Sequence, residues 1–288
     1  MGIVRLMPVT EASRSRPSAA ARWAAELQEW AIPPEILAQA AASPWEFPPG
    51  ILERRADRSQ GLQTPSVRLA REALPERGSV LDVGCGPGAA SLPLTDRASA
   101  LTGVDTDPRA LKEFRTRAEA ARMQVTTIEG RWPDVADRAP VVDVTVCNHV
   151  AYNVPDLASF ALRLTEKTKA RGVLELTLVH PRAYLNELWM HFHKLPRPSC
   201  PTADDAEAVL SEAGLTVHRQ DWTPTEPNTW FASLEEAVAW TARALCLNSH
   251  RHAELRRLIE PDLLRVDGML AQPRRPRATI WWAGTARD

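Results

Sequence analysis

The chain has 288 residues, 44% of them hydrophobic and 25% charged, with a formal net charge of -1. This is ordinary for one large or two small globular domains, and it provides no overall basic field to draw nucleic acid or an anionic membrane. No run of about 18 apolar residues is present to span a bilayer. The four cysteines (Cys85, Cys147, Cys200, Cys246) stand too far apart for a C-x-x-C site or a disulfide framework, which favours a reducing, cytoplasmic setting.

In chain order, residues 1–22 are rich in Ser, Ala and Arg and read as a mobile tail. Residues 23–77 read as a helical cap: Trp23, Leu27, Trp30, Ile36 and Leu37 fall at helical spacing, broken by Pro33-Pro34. A stiff aromatic loop with Trp45 and Phe47 follows, and a helix is predicted over 65–75. From 78 to 288 the pattern changes. Short β-branched runs at 79–83, 100–104, 124–128, 141–147 and 173–179 alternate with helical stretches, which predicts a doubly wound, mostly parallel sheet. Thr202 to Gly214 reads as a helix capped by Thr202 with Asp205 three residues on. Strands are expected near 215–221 and 278–283, flanking a largely helical insert at 233–270. Segments 181–200 and 223–277 lie outside the alternating pattern and read as lid and insert.

The sharpest feature is Val80-Leu81-Asp82-Val83-Gly84-Cys85-Gly86-Pro87-Gly88, an apolar strand running into three glycines, with a helix expected to start near Pro87. Glycine belongs where backbone takes positive φ or must approach a ligand. The spacing of Gly84, Gly86 and Ala89 also satisfies a dinucleotide fingerprint. Asp82 argues against that reading, because a carboxylate two residues before the first glycine repels a pyrophosphate and favours a cationic group. S-adenosylmethionine carries an ammonium and a sulfonium and no phosphate. Three more segments fall in register with it: Gly103-Val104-Asp105-Thr106-Asp107, where Asp105 can accept from ribose hydroxyls, Ile128-Glu129-Gly130-Arg131-Trp132 on the adenine side, and Asp143 to Tyr152 beside the methionine part.

These motifs, V-L-D-V-G-C-G-P-G, G-V-D-T-D-P and D-V-T-V-C-N-H-V, make residues 78–180 resemble the class I S-adenosylmethionine-dependent methyltransferases. The resemblance implies a Rossmann-like sheet of seven strands in the order 3-2-1-4-5-7-6, with S-adenosylmethionine as cofactor and S-adenosylhomocysteine as its product. It implies that Asp82, Gly84, Cys85 and Gly86 hold the methionine end, with Gly88 supporting the turn. Asp105 would bind the ribose, Thr106 and Trp132 would flank the adenine, and Asn148 and His149 would meet the methionine portion. Where similar proteins often carry Asp for the adenine amino group, this chain has Glu129-Gly130-Arg131.

Methyl transfer needs position more than acid–base help, since the cofactor supplies the activated carbon. His149 at the end of the fourth strand, His180 at the end of the fifth, and Tyr152 are the candidate catalytic groups. Trp45, Phe47, Tyr152, Trp189 and Phe192 are the candidate substrate contacts, forming an apolar wall for a small acceptor methylated on O or N. His191-x-His193 and His250-x-His252 read as surface histidines, and no metal is expected. Only four of the 35 basic residues are Lys, so Arg clusters in general are discounted as functional signs, although the local patch Arg274, Arg275 and Arg277 keeps a nucleic-acid substrate open as the weaker reading. The reading is small-molecule methylation by a cytoplasmic enzyme, with a homodimer left open. Its rivals are a module that binds the cofactor without transferring methyl, and a protein or RNA methyltransferase.

Overall fold

The protein was analysed as a computed structural model that describes residues 17–45, 50–59, 61–227 and 229–285. Its centre is a seven-stranded sheet of β1 (Gly78–Val83), β2 (Ala98–Asp105), β3 (Gln124–Glu129), β4 (Val142–Asn148), β5 (Thr168–Thr177), β6 (His218–Trp222) and, from further along the chain, β10 (Arg277–Ala283). The spatial order is β3-β2-β1-β4-β5-β10-β6, the order the sequence implied. The pairings among β1 to β5 are parallel, whereas β10 runs antiparallel between β5 and β6.

Period-2 alternation sorts each strand's side chains onto two faces. Val80, Val144, Val146 and Val173 pack with α4 (Pro65–Ala73) and α5 (Pro108–Ala120) on one face. Leu81, Val83, Leu174, Leu176, Ile280 and Trp282 pack with α1 (Ala19–Gln28), α6 (Leu157–Glu166) and α8 (Ala203–Glu212) on the other. Capping is as expected at α8, where the Thr202 and Asp205 side chains and backbones bond reciprocally.

A second, separate core lies beyond the sheet. Ile51, Leu185, Trp189, Phe231, Leu245 and Leu255 bring together α3 (Ile51–Ser59), α7 (Asn186–His193), α9 (Leu234–Ala244) and α10 (His252–Ile259). The short helix α2 (Pro34–Leu37) sits at its margin, with Ile36 packed against it.

The structure departs from the expectations at four places. No α-helix follows the glycine turn: residues after Gly86 form turns and one 3-10 turn at Leu92–Leu94, because Pro87, Gly88 and Pro93 withhold the donors and stiffness a helix needs. The fifth strand begins five residues before the expected 173 and ends at 177. Helix α3, unassigned in the sequence, occupies 51–59. The insert is not all helical: β7 (Trp230–Phe231), β8 (Leu264–Val266) and β9 (Met269–Ala271) form a small sheet in the order β7-β9-β8.

Candidate active site

The C-terminal ends of the parallel strands form one edge, and the predicted motifs meet there. Backbone N–H groups of Gly84 and Cys85 both donate to the Val104 carbonyl, at 2.8 and 3.1 Å, which folds the loop back over β2. Gly84 takes φ +70°, and a Cβ there would stand 2.3 Å from Val150 Cγ2, so only glycine fits. Gly86 takes φ +50° with nothing within 4 Å of where its Cβ would be. Its backbone is therefore open to a ligand. Asp105 binds this loop, accepting from Gly86 N–H at 2.9 Å on one oxygen and from Asp107 N–H at 3.0 Å on the other. Each carboxylate oxygen keeps a free lone pair, enough to accept from a ribose diol.

Asp82 is 1% exposed. Its Oδ2 accepts from the Ser91 hydroxyl at 2.6 Å, while Oδ1 is buried with no hydrogen-bond partner. Burial, then the Ser91 bond against it and nearby Asp105 with it, leaves the carboxyl raised to about 7. Asn148 Oδ1 is likewise buried without a partner. Two orphaned acceptors beside an open glycine loop fit a cationic head group, directly or through water. The missing helix removes the dipole and the N–H cluster that a pyrophosphate would need. These residues thus fit S-adenosylmethionine and do not fit a dinucleotide.

Thr106 and Glu129 are exposed at the ends of β2 and β3, with Gly130 and Arg131 next to them. Trp132 is in the core instead. It is 5% exposed and donates its indole N–H to the Phe160 carbonyl. Cys85 is also buried, with burial pushing its thiol up, so it offers the site backbone only. Gly88 turns inward, against Leu92 and Phe114.

Beyond the glycine loop the edge opens into a cavity of about 380 Å³. Its floor carries Asn148, Glu175 and Arg277; its walls are α3 with Leu52, Arg55 and Arg58, the start of α4, and the 222–227 connector with Trp222. Glu175 is 2% exposed and accepts from Arg277 at 2.7 Å and from Ser66 at 2.5 Å. Burial alone would raise it, but Arg277, His149 and Ser66 hold it well below the usual carboxylate range. Ser66 also meets Thr279 at 2.8 Å, and Trp222 donates to Thr279 at 3.0 Å.

His149 stands beside this network, in the left-handed region at φ 62°. Its Nε2 is 3.1 Å from Glu175 Oε1 but has no aligned hydrogen-bond partner. Burial, then Arg55, lowers it to about 3 against the pull of Glu175, so it is neutral near pH 7.

Tyr152 and His180 lie elsewhere, lining a smaller cavity of about 220 Å³ with Trp30, Trp45 and Arg182. Tyr152 donates to the Thr177 carbonyl at 2.8 Å, and burial pushes its phenol up. His180 stacks on Trp30 with ring centroids 3.6 Å apart, and burial, then Arg182 and Arg197, lowers it to about 3.

Of the expected substrate wall, Trp45 is 50% exposed under the Arg182 guanidinium, and Trp189 is 2% exposed in the second core. Phe192 packs on the margin of that core below Arg251, and Phe47 lies outside the described residues. None of the described three lines the larger cavity. The aromatic residue that does is Trp222.

The expectation had no place for Arg55, Ser66, Glu175, Trp222 or Arg277. One signal existed: Glu175 interrupts an otherwise apolar strand, Val173-Leu174-Glu175-Leu176. Of the histidine pairs, His191 bonds Glu254 at 2.7 Å and His193 the Leu245 carbonyl at 2.7 Å. Among the described residues one trio of ligand types converges, Glu26, Cys200 and Asp205, within 4.8 Å, and neither pair belongs to it.

The strand order and the glycine loop with its two acids define the fold and site of a class I S-adenosylmethionine-dependent methyltransferase. A family model described as a methyltransferase domain matches residues 55–220, and the chain belongs to that family. The chain is 30% identical over 106 residues to the ubiquinone biosynthesis O-methyltransferase of Azorhizobium caulinodans, covering 36% of this chain and 42% of that protein. It is 33% identical over 112 residues to the trans-aconitate 2-methyltransferase of Variovorax paradoxus, covering 38% and 42%. It therefore spans less than half the length of these two relatives. The crystal structure of the YcgJ protein from Bacillus subtilis superposes with a TM-score of 0.50 at 17% identity, covering 76% of this chain and 97% of that one, and agrees in fold.

Proposed function

We propose that the protein transfers a methyl group from S-adenosylmethionine to a small molecule held in the cavity between the glycine loop and α3. The observation that carries this is the continuity of one lined space from Gly84 and Gly86 to Asn148, Glu175 and Trp222. About 380 Å³ is small-molecule size. Two relatives are named for methylating small molecules, which supports the same class here.

S-adenosylmethionine supplies an electrophilic methyl carbon whose departure leaves a neutral thioether. The chain's own residues position and shield. Asp82 and Asn148 provide acceptors for the cofactor's ammonium end, and Asp105 provides them for its ribose. Trp222 and the 222–227 connector cover the cavity and limit water. His149 lies outside the cavity lining and, held at about 3, is too weak a base to carry a proton step, so transfer rests on positioning.

An RNA substrate is less well supported. Arg275 and Arg277, which a sequence reading could place in a basic patch, turn inward to the Pro181 carbonyl and to Glu175. The four cysteines are all free thiols, which supports the cytoplasm as the working compartment.

The test is calorimetric titration of S-adenosylmethionine and S-adenosylhomocysteine into the full chain, followed by transfer of labelled methyl to small-molecule extracts. Failure of both ligands to bind at sub-millimolar concentration would overturn the reading. Binding without any turnover would instead favour the non-catalytic module.

A further inference from the structure

The larger cavity is asymmetric in charge. On the glycine-loop side the lining is backbone, apolar side chains and the neutral Asn148, with Asp82 and Asp105 bonded within or beneath the loop rather than in the lining. On the α3 side three guanidinium groups, Arg55, Arg58 and Arg277, line the same space. Two of them are already neutralised. Arg277 is paired with Glu175 at 2.7 Å, and Arg58 with Asp267 at 2.9 Å while stacking on Trp230.

Arg55 has no hydrogen bond or ion pair among the described residues, although neighbouring Arg54 is bound to Glu236. Burial, then Arg277, lowers it to about 10, with Glu175 opposing, so it stays charged at neutral pH. Glu226 also lines the cavity but makes no ion pair with it. A guanidinium kept in a walled cavity without a carboxylate is costly unless something anionic arrives.

Position separates two anionic sources. The charges that act on Arg55 are Arg277, Glu175 and Arg275, which belong to β5, β10 and the stretch before β10. Neither Asp82 nor Asp105 is among them. With His149 at the end of β4 also in its field, Arg55 stands over the ends of β4, β5 and β10, beyond β1 and β2, the strands that hold the cofactor acids.

We propose that the methyl acceptor carries a carboxylate, and that Arg55, the unpaired guanidinium of the cavity wall, binds it in a two-point fork while Trp222 covers the acceptor's apolar body. The planar five-donor group matches a carboxylate bidentately, which a lysine would not. This rests on the methyltransferase reading, because it concerns the substrate class of that site. The Glu175–Arg277 pair is the supporting floor: it keeps a second positive group near the bound acid without leaving it free to compete for the cofactor's acids.

The experiment uses the full chain saturated with S-adenosylhomocysteine, titrated with benzoate and cinnamate and with the matched neutral amides. Three proteins are compared: wild type, Arg55→Met and Arg55→Lys. Wild type is expected to bind at least one carboxylate at least about tenfold more tightly than its amide, as charged hydrogen bonds lost on amidation require. Arg55→Met is expected to abolish that preference, and Arg55→Lys to keep only part of it. Relief of the unpaired charge should also raise the thermal midpoint of Arg55→Met above wild type without ligand, and benzoate should raise only the wild-type midpoint.

Several results would overturn the proposal. One is no preference for carboxylate over amide in wild type; another is a preference that survives in Arg55→Met. A third is a drop of about tenfold or more in S-adenosylhomocysteine affinity in Arg55→Met with 5′-methylthioadenosine unaffected, which would assign Arg55 to the cofactor's own carboxylate. Failure of S-adenosylhomocysteine to bind wild type at all would instead break the methyltransferase reading itself.

Discussion

The two ends of the binding edge are built by different means. Over β1 and β2 a ligand would meet backbone: an open Gly86, a loop tied to the Val104 carbonyl, and Asp105, already bonded to two main-chain N–H groups. Over β5 and β10 it would meet side chains drawn from residues 55, 175, 222 and 277, with Ser66 and His149 set against Glu175 outside the lining. The first end carries two acids in and beneath its loop; the second carries the Glu175–Arg277 pair and the unpaired Arg55. A site made of backbone is fixed by a local sequence and suits a ligand that never changes. A site made of side chains from distant segments can be altered one residue at a time, and suits the ligand that differs between relatives.

Breaking the second end should cost the most stability. Glu175→Ala leaves Arg277 buried and unpaired, and should lower unfolding free energy by about 3–5 kcal/mol in urea titration. A loss below about 1 kcal/mol would mean that the pair is solvated and the two ends are alike. Gly84→Ala attacks the first end through shape. The new methyl meets Val150 at 2.3 Å in a left-handed backbone, and about 1–3 kcal/mol of stability should go. Adding Val150→Ala should restore only the steric share.

For binding, Asp82→Ala and Asp105→Ala should each weaken S-adenosylmethionine at least about tenfold, or 1.4 kcal/mol, by calorimetry. Wild-type affinity in both would erase the distinction between the ends. Asp82 sharpens it through pH. Its carboxyl is raised to about 7, so in the free protein the protonated form is the more stable one. Stability from this group is present below the unfolded value near 3.8 and is lost as pH rises through about 7. A cationic ligand wants the opposite, the ionised form. Affinity should therefore climb between pH 6 and pH 8 on the order of tenfold, with proton release on binding, and Asp82→Asn should flatten the profile. The smallest effect belongs to the smaller cavity. Trp45→Ala removes a half-exposed ring stacked under Arg182 and should cost under about 1 kcal/mol, with S-adenosylmethionine affinity unchanged.

The same contrast decides what could be read from sequence. Asp82, the glycines and Asp105 lie within one stretch of β1, loop and β2, so strand register carries them to one edge as a set. The α8 cap was equally local. The helix expected from near Pro87 is absent because Gly88 and Pro93 follow within its first two turns. Trp132, expected to flank the adenine, and Trp189, expected in the substrate wall, proved to be core, with the indole N–H of Trp132 satisfied by the Phe160 carbonyl. A large apolar ring with one donor packs inward wherever a carbonyl is in reach, and sequence does not show the carbonyl. Arg55 was invisible for another reason. Arg is abundant throughout this chain, and only the structure shows that this one lines the cavity with no bonded partner among the described residues.

The place of β10 sets an order in time. It enters the sheet between β5 and β6, although both precede it in the chain by many residues. A growing polypeptide can lay down β1 to β5 and close the glycine loop early, while a slot beside β5 stays open. Glu175 waits in that slot without its counter-ion until residue 277 has been synthesised. The cofactor end can thus mature before the acceptor end exists. A chain interrupted before β10 would have a place for the methyl donor and no floor for anything to receive the methyl.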